Sequence, residues 1–211
     1  MFFTFSPLTS RIILPVTNDL STDQRMQRIA ATLAGAGCEV LLVGRQLPDS
    51  QPLAKQPYAT RRMRLWFRKG KFFYAEYNLR LFLLLLFARV QIVCANDLDT
   101  LAACYLASRL RGFRLIYDSH EYFTEVPELT ARPLTRSIWL GIERWIFPGL
   151  TTVYTVNEAI ATIYRQLYNV PVHVIRNLPE RIAFVPDNQR DTILLYQGSL
   201  NMGRGIELMI E

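Results

Sequence analysis

One histidine of this 211-residue chain stands among carboxylates at the end of a predicted strand. The sequence of residues 116–129 is IYDSHEYFTEVPEL, in which an apolar run ends at Tyr117 and is followed by Asp118, His120 and Glu121. Nearby carboxylates favour the protonated imidazole, and a loop after a strand exposes it to a ligand. The pattern indicates charge or proton chemistry at His120 and Glu121. The alternative is a histidine that only caps the loop.

Polar residues also follow three other predicted strands. TNDLSTDQR (17–25) comes after RIILPV, NDLD (96–99) comes after QIVCA, and VNE (156–158) closes TTVYTV. In doubly wound sheets, ligands bind beyond the carboxyl ends of the strands, so we expect the four clusters to meet at one crevice. Any one of them alone is equally consistent with capping.

Short apolar runs alternate with segments of helical period along the chain. RIILPV and CEVLLVG are nearly continuous apolar runs, as in strands buried on both faces, and Met26, Ile29 and Leu33 between them recur at helical spacing. STDQ (21–24) predicts a capping box at the start of this helix. The order predicts an α/β fold, a Rossmann-like doubly wound parallel sheet with right-handed crossovers.

Later segments define the domain organisation. RRMRLWF (61–67) alternates basic and apolar residues, which predicts an exposed edge strand. Residues 72–90 predict a helix that is apolar almost all round in its second half, and we expect that half to be buried. A charged segment with prolines and no period then indicates a linker. We divide the chain into an N-terminal domain over 1–177, a linker over 178–191 and the start of an incomplete second Rossmann-like domain over 192–211.

Composition narrows the classes of function. Half of the residues are apolar and a fifth are charged, which is typical of a globular protein. Three cysteines without a CxxC pair indicate neither a disulfide framework nor a metal site. No apolar run approaches the about 20 residues that span a bilayer. The first strand is followed by no G-x-G-x-x-G motif, which argues against an NAD or FAD enzyme.

Two further segments indicate anionic partners. The net charge is +6, and residues 61–71 hold six basic residues and no acidic one. Such a patch suggests a membrane, a nucleic acid or a phosphorylated ligand, and a solvated charged face is the alternative. The turn GSLNMGRG (198–205) places three glycines and Arg204 at a predicted helix start. It predicts either a diphosphate site or a solvent-facing glycine turn.

Seven segments, taken in order, carry a resemblance that extends over essentially the whole chain. They are LSTDQRMQRIAATLAGAGCEVLLVGR, RMRLWFRKGKFFYAEYNLRLF, ANDLDTLAACYLASRL, YDSHEYFTEVPEL, YTVN, IRNLPE and YQGSLNMGRGIE. Together they resemble bacterial glycosyltransferases of family four, which have the GT-B fold. The resemblance implies that residues 11–175 form the N-terminal, acceptor-side domain, and that residues 192–211 open the C-terminal, nucleotide-sugar domain.

What the resemblance implies is transfer of a sugar from a nucleotide-diphosphate donor, with retention of anomeric configuration, no cofactor and no obligatory metal. A family histidine that faces the donor sugar matches His120, so the predicted catalytic residues are His120 and Glu121. The predicted acceptor-binding residues are Thr22, Asp23, Arg25, Asn96 and Asp97. The predicted diphosphate-binding residues are Gly198, Ser199, Gly203 and Arg204, with Ser199 at a position where the family often has arginine.

The resemblance also has gaps and alternatives. The family's paired glutamates, seven residues apart, find no match, so we expect residues 1–211 alone to be inactive. Many family acceptors are lipid-linked, which predicts a cytoplasmic protein, peripheral on the inner face of the membrane. The predicted membrane-surface residues are Arg61, Arg62, Arg64, Trp66, Phe67, Arg68, Lys69 and Lys71. The alternative is a non-catalytic glycan- or membrane-binding module, and no nucleic-acid motif is present.

Overall fold

Seven parallel strands form the sheet of the computed structural model, which describes residues 10–178, 196 and 205–210. Their order is β3-β2-β1-β4-β5-β6-β7, which reverses direction between β1 and β4, the switch point of a doubly wound fold. The predicted Rossmann-like α/β sheet is therefore confirmed. The strands are β1 (Arg11–Asp19), β2 (Glu39–Gln46), β3 (Ala59–Arg64), β4 (Ile92–Asn96), β5 (Arg114–Ser119), β6 (Val153–Thr155) and β7 (Val172–Val174).

Helices cover both faces of this sheet. Alternate residues of β1 show that both faces are covered, because Ile13 belongs to one buried apolar cluster, whereas Ile12 and Leu14 belong to another. Single 3-10 turns lie at Phe123–Glu125 and Phe147–Gly149. The α-helices are α1 (Gln24–Gly35), α2 (Gly70–Phe87), α3 (Leu98–Arg111), α4 (Pro127–Thr130), α5 (Pro133–Ile146), α6 (Glu158–Tyr168) and α7 (Ile206–Ile210).

The start of α1 differs from the predicted capping box. Asp23 is the N-cap, and its Oδ1 accepts from the Met26 N–H at 3.0 Å. Ser21 instead donates its hydroxyl to Asp19 Oδ1 at 2.8 Å and its backbone N–H to the same oxygen. β1 continues to Asp19, beyond the predicted RIILPV run. Because the Asp19 carboxylate binds the Ser21 hydroxyl, Ser21 does not cap the helix, and the N-cap is Asp23 instead.

The predicted burial of the second half of α2 is wrong. One stripe is buried, including Leu81 and Leu85, but Leu79, Leu83 and Phe87 on the opposite stripe are 60%, 46% and 84% exposed. The helix follows the edge strand β3 and packs chiefly on α3, so a single stripe satisfies the core. An apolar surface therefore faces outward along α2.

The edge strand predicted for residues 61–67 is confirmed as β3. Successive side chains of a strand point to opposite faces of the sheet, which separates the arginines of β3. Arg61 is on the same face as Met63, which packs into the core beside α2. Arg62 and Arg64 are on the opposite face. Arg62 Nη1 donates to the Gln51 carbonyl at 2.9 Å. The basic patch is thus divided between two faces of the sheet edge.

Most of the predicted linker and second domain lies outside the described residues. Leu178 and Tyr196 are described, and α7 begins after Gly205, where the helix start was predicted. Within the described ranges, no helix is long and apolar enough to cross a membrane.

The close approach of β2 to the end of β1 at Gly44 gives the first testable prediction. A Cβ at this position would lie 2.8 Å from the Asn18 carbonyl oxygen and inside van der Waals contact of buried Leu20. We expect Gly44→Ala to lower the free energy of unfolding by about 1–3 kcal/mol, because backbone would have to move. Urea unfolding would measure it.

The matched control is Gly141→Ala in α5, where an added Cβ meets nothing within 4 Å in the described part of the chain. There we expect about 0.5–1 kcal/mol of stabilisation from helix propensity. Equal effects at both positions would contradict the close packing at Gly44.

Candidate functional site

A cavity of about 1150 Å³ lies at the carboxyl ends of the strands, between α2 and α5. Three of the four predicted polar clusters line it, from the ends of β1, β4 and β5. The fourth cluster, residues 156–158, lines a neighbouring cavity of about 470 Å³ together with Arg176 and Asn177. His120 lines both cavities and so lies at their boundary. The predicted convergence therefore holds for three clusters.

A buried ion pair ties the base of the larger cavity together. Arg25 Nη2 pairs with Asp118 Oδ2, and the Tyr154 hydroxyl donates to the same oxygen at 2.8 Å. Burial raises the pKa of Asp118, and Arg25 and Tyr154 offset part of that rise. Burial acts to lower the pKa of Arg25, but the Asp118 carboxylate outweighs it and the net pKa is raised. Arg25 is therefore chiefly occupied with Asp118, and its acceptor contact stays a prediction.

Asp97 fixes the position of His120. Its Oδ1 accepts from the His120 backbone N–H at 3.3 Å, and its Oδ2 lies 2.6 Å from His120 Nδ1. The Asp97 N–H in turn donates to the Asp118 carbonyl at 2.9 Å. Asp97 holds this place with φ 59° and ψ 167°, a backbone region that favours glycine. The sequence predicted that Asp97 binds the acceptor substrate, whereas in the structure its carboxylate lies against the His120 ring.

The contact with Asp97 governs the protonation of His120. Burial acts to lower the pKa of His120, but the neighbouring Asp97 carboxylate outweighs it, so the pKa lies above the ordinary 6.5. Glu121 adds to the rise and lines the larger cavity. Asp97 therefore favours the charged imidazole, whose side chain is 36% exposed and which in that form donates hydrogen bonds from both ring nitrogens.

Asp99 is a cavity residue that was predicted only as part of the NDLD cluster and not as one of the site residues. It lies in the first turn of α3, is 7% exposed and accepts a hydrogen bond from the Thr17 hydroxyl. Burial, with help from the Asp97 charge, raises the pKa of Asp99 to about 7. Its sequence signal was the second acid of NDLD, which resembles an ordinary helix start.

The other predicted acceptor residues have structural contacts of their own. The Thr22 hydroxyl donates to the Asp19 carbonyl at 3.2 Å, and Thr22 does not line the cavity. Asp23 lines it while capping α1. The Asn96 amide, 3% exposed, donates to the Pro15 and Cys94 carbonyls, both at 3.0 Å, which joins β1 to β4.

The predicted diphosphate and membrane residues differ in where they lie. The diphosphate residues Gly198, Ser199, Gly203 and Arg204 lie outside the described residues. Three predicted membrane residues, Arg68, Lys69 and Lys71, line the larger cavity. In the described part of the chain, no group of three or more His, Cys, Asp or Glu side chains is placed to hold a metal ion.

The Asp97–His120 contact predicts a shift on substitution. Asp97→Asn should lower the pKa of His120, because it removes the charge that favours the imidazolium. Since the folded-state pKa is raised, the stabilisation by this pair is fully present below about pH 6.5 and is lost as the pH rises through the folded pKa. NMR titration of the His120 ring would measure the shift.

Asp49→Asn is the control for that titration, because exposed Asp49 lines the same cavity without contacting His120. It should leave the His120 titration nearly unchanged. A His120 pKa that is the same in Asp97→Asn as in the original protein would rule out control by Asp97.

Comparisons with known proteins agree with this architecture. The family described as Glycosyl transferase 4-like domain matches residues 22–178. Sucrose-phosphate synthase from Thermosynechococcus elongatus is similar in structure, with a TM-score of 0.64 and 14% identity over 80% of this chain and 48% of that chain. A glycosyltransferase from Rickettsia africae ESF-5 gives a TM-score of 0.53 and 16% identity over 80% of this chain and 43% of that chain.

A plant enzyme shows the same similarity. Phytolacca americana UGT2, solved with UDP-2fluoro-glucose and pterostilbene, gives a TM-score of 0.54 and 11% identity over 82% of this chain and 55% of that chain. No curated protein sequence matches the chain. At these identities the structural matches show the fold, and the chain spans about half the length of the solved proteins. The chain belongs to the glycosyl transferase 4-like family, and its sheet is the N-terminal domain of the GT-B fold.

Proposed function

We propose that this domain is the acceptor side of a glycosyltransferase that moves a sugar from a nucleotide-diphosphate donor to a glycan or lipid-linked acceptor. The observation that carries the proposal is His120, held by Asp97 at the boundary of two cavities beyond the carboxyl ends of the strands. Ligands of doubly wound folds bind at this edge. Membership of the family supports it, as does the UDP-2fluoro-glucose bound to the similar Phytolacca americana UGT2.

The raised pKa of His120, which favours its charged form, supports a reaction that retains configuration. A protonated imidazole donates hydrogen bonds and does not take a proton from an acceptor hydroxyl, as the base of an inverting reaction must. With Asp97 beside it, the pair has no net charge, so it does not oppose positive charge that develops on the sugar. We therefore assign His120 as a hydrogen-bond donor to the donor sugar, with Glu121 beside it, in a reaction without an obligatory metal.

The length of the chain bears on its activity. It spans about half of the solved proteins it matches, and in the resemblance to family four the donor is bound by a second domain. We propose that residues outside the described domain provide most donor contacts. Residues 1–211 by themselves are then expected to turn over no nucleotide sugar.

Substitution of His120 tests the proposed function. In the protein as its gene encodes it, His120→Ala should reduce release of nucleoside diphosphate from a panel of UDP-, GDP- and ADP-sugars by about 100-fold or more. Residues 1–211 alone should release none. Undiminished turnover in His120→Ala would overturn the role of His120. Absence of turnover in every form would favour the non-catalytic binding module.

A peripheral position on the membrane is a second part of the proposal. Trp66 and Phe87 are each 84% exposed, and the outer stripe of α2 adds Leu79 and Leu83. Arg80 lies over the Trp66 ring at 5.2 Å, which keeps a cation beside this apolar surface. Apolar side chains beside cations are typical of surfaces that lie on anionic headgroups.

Vesicle binding tests this surface. We expect residues 1–211 to bind vesicles containing phosphatidylglycerol, less tightly as salt rises, because each basic residue near the surface contributes about 1 kcal/mol. Arg61→Ala/Arg62→Ala/Arg64→Ala and Leu83→Ser/Phe87→Ser should both weaken sedimentation with vesicles. Leu167→Ser on α6, also exposed, is the control. Binding to uncharged phosphatidylcholine vesicles alone would contradict the proposal.

A further inference from the structure

Four cations line one wall of the larger cavity. Arg45 comes from β2, and Arg68, Lys69 and Lys71 come from the loop before α2 and from its first turn. The last three are exposed, and none of the four forms an ion pair with another residue of the described ranges. Asp49, which follows β2 in the chain, also lines this part of the cavity. It offsets only one of the four positive charges. This wall is left with a net positive charge facing the cavity.

Arg45 is held in place to present that charge. Its Nη1 donates to the Arg68 carbonyl at 3.3 Å, and its guanidinium lies 4.9 Å from the centre of the Phe73 ring. Its Nε is buried and has no hydrogen-bond partner among the residues that the structure describes. A planar guanidinium with unused N–H groups is well suited to the oxygens of a phosphate.

The start of α2 adds to the same wall. Within the described chain no side chain caps it, and its first turn contains no acidic residue. The N–H groups of the first turn of this 18-residue helix therefore lie beside Lys69 and Lys71. The helix dipole and the two lysine charges both favour an anion at this position.

The opposite wall is largely apolar, with Arg132 and Thr135 as its polar members. Leu134 and Ile138 at the start of α5 are 84% and 65% exposed and line the cavity, and partly buried Leu129 continues the surface inward. We call Leu134 and Ile138 of α5, together with Leu129 of the preceding α4, the α5 shelf. Below it the Trp139 ring makes an edge contact with Tyr74, with ring centres 5.1 Å apart. Covering such apolar surface with a hydrocarbon chain is favourable by about 25 cal/mol for each Å² removed from water.

We propose that the acceptor is an anionic amphiphile, a phosphate or diphosphate ester of a hydrocarbon chain. The phosphate group binds Arg45, Arg68, Lys69 and Lys71, and the chain lies on the α5 shelf. The sugar or hydroxyl to be extended then lies toward His120. This inference rests on the proposed function, since it names the acceptor of the same site. It also assigns three of the predicted membrane residues to ligand binding inside the cavity.

Binding of a simple probe tests the proposal independently of any transfer reaction. We expect dodecyl phosphate, kept below its micellar concentration, to bind residues 1–211 at least about tenfold more tightly than inorganic phosphate, diphosphate or dodecyl maltoside. Calorimetry would measure affinity, and salt should weaken it. This measurement needs neither a nucleotide sugar nor turnover, so failure of this proposal and failure of the proposed function are separable.

Paired variants separate the two walls. Lys69→Ala/Lys71→Ala should weaken dodecyl phosphate binding about tenfold or more and reduce its dependence on salt. Arg109→Ala/Arg111→Ala removes the same charge from the exposed end of α3 and should change neither. Leu134→Ser/Ile138→Ser should bring dodecyl phosphate down to the affinity of inorganic phosphate. Leu106→Ser/Leu110→Ser, exposed on α3 outside the cavity, is its control.

Each other outcome decides against part of the proposal. If inorganic phosphate or diphosphate binds as tightly as dodecyl phosphate, the acceptor is a soluble phosphorylated molecule. The α5 shelf would then have no role in binding. Equal affinity for dodecyl maltoside would remove the role of the cations. Unchanged binding in Lys69→Ala/Lys71→Ala, with the fold verified by circular dichroism, would overturn the phosphate site.

Discussion

The ion pair between Arg25 and Asp118 joins segments that lie 93 residues apart in the chain. Arg25 belongs to the first turn of α1, after β1, and Asp118 is the penultimate residue of β5, with β4 between these two strands. Tyr154 of β6 completes the contact from the other side. Removing one partner of a buried pair typically costs about 3–5 kcal/mol, because the remaining charge is left without compensation. The carboxyl edge of the sheet, where the cavity opens, therefore depends on this one pair.

The site extends from that pair by direct contacts. The Asp118 carbonyl receives the Asp97 N–H, and the Asp97 carboxylate holds both the backbone and the ring of His120. Two carboxylates, Asp118 and Asp97, thus lie between two basic groups, Arg25 and His120, along one short path from the protein interior to the cavity. Such an arrangement favours the charged form of His120, because Asp97 offsets that charge in a half-buried place. The reactive end is positioned by the same contacts that hold the strands together.

The sequence was sufficient for the sheet because buried strands are local apolar runs, and for His120 because it stands in a local cluster. The pairing of His120 with Asp97 was not accessible, since it depends on the register that sets Asn96 of β4 beside Asp118 of β5. Asp99 was predicted only as part of the NDLD cluster, because its contact with Thr17 of β1 and its burial depend on the fold. The apolar helix α2 was expected to be buried because composition does not show where a helical layer ends. The cap of α1 was misplaced because Asp19 takes up the predicted capping hydroxyl.

The backbone conformation of Asp97 sets the stability of this protein against the function of its site. Its φ of 59° with ψ of 167° lies in a region that costs a residue with a side chain on the order of 1–3 kcal/mol. Glycine would relieve that strain, but it would also remove the carboxylate that holds His120. Above the folded pKa of His120, where the pair no longer adds stability, selection for thermal stability alone would favour loss of the contact, and only selection for the chemistry of the site would keep it. At this position, a more stable protein and a working one are different sequences.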